Sequence, residues 1–209
     1  LNSTLIKSIL NTFQKNSIHH FYRINRDKWN KEFPIFSIQN YDLIILDDLP
    51  IYHEDKILIE TIFQKNDVII PIMYFEGPNS KLLSSDDLSQ YFDLTIKEEN
   101  EFTSQNIYPM ENSIFNFSPI GIANLPPFKR NHIWINDSLN GNSIFKYADG
   151  SDAIYTNSNF TGIFIPDIGL NELKIPIKDQ NGSILSNILN DIIELSFSPN
   201  TKLIKLFKS

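Results

Sequence analysis

The feature that most constrains this chain is Leu43-Ile44-Ile45-Leu46, four apolar residues in succession closed by Asp47-Asp48 and Pro50. A strand with one wet face alternates apolar and polar residues, so an unbroken run implies that both faces are covered, as in a parallel sheet. A second run, Val68-Ile69-Ile70-Pro71-Ile72, lies within the strand expected over residues 67–73. Between the two, residues 53–65 carry Ile57, Leu58, Thr61 and Ile62 at the spacing of one helical face. Strand, helix and strand in this order predict a βαβ unit, because parallel neighbours need a crossover and cannot be joined by a tight hairpin.

The rest of the chain is read by the same periodicities. Residues 3–15 and 81–92 have helical stripes, residues 18–24 alternate as a strand, and residues 26–39, a polar stretch carrying Trp29, Phe33 and Phe36, are read as a loop with a helical turn. Residues 93–127, with Phe102, Tyr108, Phe115 and Phe117 among prolines and asparagines, are expected to be an irregular, aromatic-rich insertion. Short strands are expected at 131–135, 143–148, 153–156 and 161–166. Asn140-Gly141 and Asp149-Gly150 suit two-residue hairpin loops between them, which gives a C-terminal β meander. A helix over 183–197 follows, and residues 202–207 are a strand or a linker. With no repeat and no low-complexity tract, residues 1–209 are expected to form a single α/β domain, a doubly wound, mostly parallel sheet excised from a longer protein.

Composition narrows the chemistry. Hydrophobic residues make up 41% of the 209, enough for a real core in a chain of this length. A net charge of -7 lacks the concentrated basic face that a phosphate backbone requires, so nucleic acid is not an expected partner. Lys129-Arg130 and the tail lysines Lys202, Lys205 and Lys208 are read as solvated charge. The absence of cysteine removes disulfides, thiolate metal sites and thiol nucleophiles together. The histidines, His19, His20, His53 and His132, form no H-x-H or H-x-x-x-H pair, and no metal site is expected. Neither a G-x-G-x-x-G nor a G-x-x-x-x-G-K-[ST] pattern is present, so no cofactor is expected.

Candidate functional residues are then sought where open α/β sheets bind ligands, beyond the carboxyl ends of the strands. Asp47 and Asp48 follow the first strand; Glu76 and Asn79 follow the second. Four such groups could line a cleft for a small molecule, although Asp before Pro is also an ordinary turn former. A nucleophile elbow would occupy the second of these turns, but Tyr74-Phe75-Glu76-Gly77-Pro78 offers no Ser, Cys or Thr at its apex. No catalytic residue is assigned, and the domain is not expected to be an enzyme.

The stretch Tyr41-Asp42-Leu43-Ile44-Ile45-Leu46-Asp47-Asp48-Leu49-Pro50 with its following helix, residues 67–73 with Glu76-Gly77-Pro78-Asn79, and Thr161-Gly162-Ile163-Phe164-Ile165-Pro166-Asp167 together resemble the class I glutamine amidotransferase-like fold. The form it resembles is that of large bacterial membrane-anchored proteins of the von Willebrand factor A, BatA-like type. The resemblance implies a flavodoxin-type sheet whose opening strand lies upstream of Leu1. Active relatives of that fold use a Cys with His and Glu partners, and this chain departs from them in having no Cys, so glutamine hydrolysis is not carried over. What the resemblance implies is a noncatalytic domain of an envelope-associated protein with an interaction or structural role. Its partners would be other domains of that protein or envelope proteins, and it would lie on the periplasmic side, tethered by a membrane segment outside this sequence; a cytoplasmic location stays open. The competing expectation is a domain that binds or hydrolyses a small molecule, such as a sugar, through the strand-end carboxylates.

Overall fold

The computed structural model describes residues 21, 23–30, 41, 43–64, 70–77, 92, 94–98, 105–110, 127–128, 133–136, 142–157 and 162–165. The expected βαβ unit is present. β3 (Ile44–Asp47) runs into α1 (His53–Gln64), which returns to β4 (Ile72–Phe75), parallel to β3 with Ile44 level with Ile72 and Asp47 level with Phe75. Ahead of it, β1 (Arg23–Asn25) and β2 (Lys28–Trp29) form a short antiparallel hairpin.

β11 (Gly162–Ile165) lies parallel to β4 on its other side, and β10 (Tyr155–Thr156) is antiparallel to β11. β8 (Asn142–Ser143) pairs with β10 and completes a five-stranded sheet in the order β3-β4-β11-β10-β8. The register sorts side chains by face, because alternate residues of a strand point the same way. Leu46, Tyr74, Phe164 and Tyr155 are level across the sheet and meet Ile59 and Ile62 of α1, together with Ile70, Ile72, Phe92 and Leu94, in one core. The opposite face is covered as well, since Met73, Phe75, Ile163, Ile165 and Thr156 are all buried. β4 and β11 are thus buried on both sides, whereas in β3, at the edge of the sheet, Leu46 is buried and Ile44 and Ile45 are half-buried.

The doubly wound architecture does not hold. Among the described residues there are eleven strands and one helix, and the parallel part is confined to β3, β4 and β11. The physical reason is the connection into β11. It is reached from its antiparallel neighbour β10 by a short loop, in which the Asn157 amide donates to the Gly162 carbonyl at 3.1 Å and the Gly162 amide donates to Asn157 Oδ1 at 3.0 Å. An antiparallel step of this kind needs no crossover helix, so a local hairpin replaces one winding of the sheet.

The expected irregular insertion is also corrected. Within residues 93–127, β5 (Leu94–Glu98) pairs antiparallel with β7 (Ile133–Asn136), and β6 (Ile107–Pro109) pairs antiparallel with β9 (Phe145–Tyr147). Residues 105 and 128 add an isolated antiparallel bridge. Asp149-Gly150 belongs to a three-residue loop rather than a two-residue one. The Tyr147 amide donates to the Ser151 carbonyl at 2.9 Å, and Gly150 occupies the left-handed region at φ 84° as the last loop residue. Asp149 Oδ1 fixes the exit by accepting from the Ser151 amide at 3.0 Å and from its hydroxyl at 2.6 Å. The helices expected over 3–15 and 183–197 and the turn at Asn140-Gly141 lie outside the described residues; of residues 81–92, Phe92 is described.

Candidate functional site

The carboxyl edge of the parallel strands is built by three successive constraints on residues 47–55. Asp47 ends β3 half-buried. Asp48 takes a left-handed backbone at φ 52°, a region that Asp tolerates better than most residues, and its amide donates to the Phe75 carbonyl at 3.0 Å. The chain then turns through a cis Leu49-Pro50 bond, where the Tyr74 hydroxyl donates to the Leu49 carbonyl at 2.8 Å. Asp55, fully buried in the first turn of α1, accepts from the amides of Ile51 at 3.1 Å and Tyr52 at 3.0 Å through Oδ2. These amides precede the helix and have no intrahelical acceptor, so the side chain three residues into α1 reaches back to satisfy them.

On the adjacent strand, Glu76 is 3% exposed and its amide donates to the Ile165 carbonyl of β11 at 2.8 Å. Gly77 lies directly beneath Asp48: a Cβ on Gly77 would overlap the Asp48 carboxyl group. Glycine is required here by close approach, and Gly77→Ala is expected to cost about 1–3 kcal/mol by forcing Asp48 out of its seat. Urea denaturation of the purified variant checks this, and an unchanged midpoint would refute the contact.

Three of the four candidate residues are therefore gathered at one edge. Asp47 and Asp48 come from the end of β3 and Glu76 from the end of β4, while Asn79 lies outside the described residues. The edge is not an open row of acids, because Glu76 is buried, Asp48 is packed on Gly77, and all three carboxylate residues engage in interactions within the chain. Among the described residues, no group of three His, Asp or Glu side chains is arranged to hold a metal ion. Of the histidines, His53 is exposed at the start of α1 and the other three lie outside the described residues.

Sequence reasoning missed two residues that shape this edge, Asp55 and Tyr74. Asp55 had a readable signal, an acid at the third helical position behind a turn containing Pro50. Tyr74 had none, since a tyrosine in an apolar run reads as core until its hydroxyl partner is known. A third contact, outside the edge, ties the β1–β2 hairpin to α1: Arg26 Nε lies 3.2 Å from Glu54 Oε1, and the guanidinium Nη2 also contacts that oxygen. The Arg26 hydrogen bond, followed by the backbone amide of Glu54 itself, holds the Glu54 carboxyl below its ordinary value.

A depressed carboxylate pKa stabilises the fold above the unfolded-state pKa, and that contribution is lost as pH falls through the lower folded-state value. Both side chains are exposed, so the contribution is small and screened by salt. Between about pH 6 and pH 3, the stability difference between wild type and Glu54→Gln is expected to shrink, and raising the salt at about pH 6 should shrink it likewise. Melting curves at both pH values check this; a difference that persists undiminished at the acid end would contradict it.

No family model matches this sequence, and no curated protein matches it. Among solved structures, the chain is similar to alpha-L-fucosidase isoenzyme 2 from Paenibacillus thiaminolyticus, with 11% identity and a TM-score of 0.44 over 75% of this chain. The match covers 25% of that protein, so the chain spans about a quarter of its length. Similarity at this level assigns neither a fold family nor an activity. Among the described residues, no helix is long and apolar enough to cross a membrane.

Proposed function

We propose that this is a noncatalytic domain whose strand-end carboxylates serve the fold, and that it acts as an interaction or structural module of a larger protein. One observation carries this reading: at the edge where a parallel sheet would present its reactive groups, Asp48 is seated on Gly77 and Glu76 is buried. Groups committed to packing in this way are poorly placed to meet a substrate. The relation to membrane-anchored von Willebrand factor A and BatA-like proteins, with an envelope location on the periplasmic side and a tether elsewhere in the protein, belongs to the same proposal; its support is the sequence resemblance around residues 41–50. The sheet itself is not doubly wound.

A second reading, small-molecule binding at this edge, is favoured by one specific fact: Asp47, Asp48 and Glu76 come together beyond the carboxyl ends of adjacent parallel strands. Thermal-shift measurements with monosaccharides, polyols and diamines separate the two. The interaction reading predicts no rise in melting temperature with any of these probes. A dose-dependent rise that the isosteric Asp48→Asn variant abolishes would overturn it in favour of ligand binding.

A further inference from the structure

We draw no further inference here: the strongest candidate, the exposed apolar side chains of Ile24 on the β1–β2 hairpin and Ile57 on α1, two elements joined by the Arg26–Glu54 ion pair, carries nothing because nothing in the structure shows what covers them.

Discussion

Replacing Phe164 with alanine is expected to lower the free energy of unfolding by about 3–5 kcal/mol, the range for deleting a fully buried aromatic ring. Phe164 is 1% exposed and belongs to a group of three mutually contacting aromatic rings. Its ring is stacked on Tyr74 with centroids 5.7 Å apart and meets Phe92 edge-on at 6.2 Å, while Tyr74 and Phe92 are 5.8 Å apart. Gly162, two residues earlier on the same strand face, gives Phe92 its room: a Cβ there would come within 2.9 Å of Phe92 Cδ1. Removing the Phe164 ring therefore strips contacts from Tyr74 of β4 and from Phe92 together, and surrounding groups already fixed by strand pairing can collapse only partly into the space. A loss of this size is a large share of the roughly 5–15 kcal/mol that holds a typical domain together. Chemical denaturation of Phe164→Ala and Phe164→Leu should rank the two with leucine the milder; an alanine variant within about 1 kcal/mol of wild type would mean that the aromatic group is not the core.

The second large effect is expected at Asp55. Asp55→Ala removes the acceptor for two backbone amides, those of Ile51 and Tyr52, and hydrogen bonds to a charged group contribute about 1.5–3 kcal/mol each. Because one carboxylate oxygen serves both, the losses do not add in full, and a total of about 2–4 kcal/mol is expected. Asp55→Asn keeps an oxygen at the same place and should recover much of this, whereas Asp55→Leu should not. Equilibrium unfolding of the three variants tests the assignment. If asparagine were as damaging as alanine, the hydrogen-bonding account would fail and the negative charge itself would be what matters.

The parts of this molecule that were legible in the sequence are those in which local pattern and tertiary environment agree. Leu43 to Leu46 announces a strand by its unbroken run, and Leu58 and Ile62 lie on the packed side of the helix that the spacing announces, whereas Ile57, expected on that face, is 63% exposed. The sequence could not show which strands become neighbours. β11 reads as a late strand of a meander, yet it inserts between β4 and β10 and makes the sheet mixed. That choice depends on contacts more than 80 residues apart along the chain, such as Gly162 level with Ile72, and no window of periodicity holds it. Residues 94–98 and 107–109 were hidden for a related reason: their partners, 133–136 and 145–147, are what make them strands.

At the candidate site, residue type and position were readable but the environment was not. Asp47 ends β3 and Glu76 follows β4, although the expected strand over residues 67–73 stops short of the end of β4 at Phe75. Their surroundings were invisible, because they depend on Gly77 lying under Asp48 and on the burial of Glu76. A turn-forming acid and a ligand-binding acid look alike until their acceptors and donors are known.

The most direct test of the proposed role is the denaturation midpoint of Glu76→Gln. If Glu76 serves the fold, neutralising this buried residue disturbs interactions it makes within the chain; the expected result is a loss of about 1–3 kcal/mol. A carboxylate held for a ligand is instead retained at a cost to stability, and its removal would leave the midpoint unchanged or raise it. The first result is the one this structure predicts; the second would contradict the structural assignment of the edge and make it a binding site.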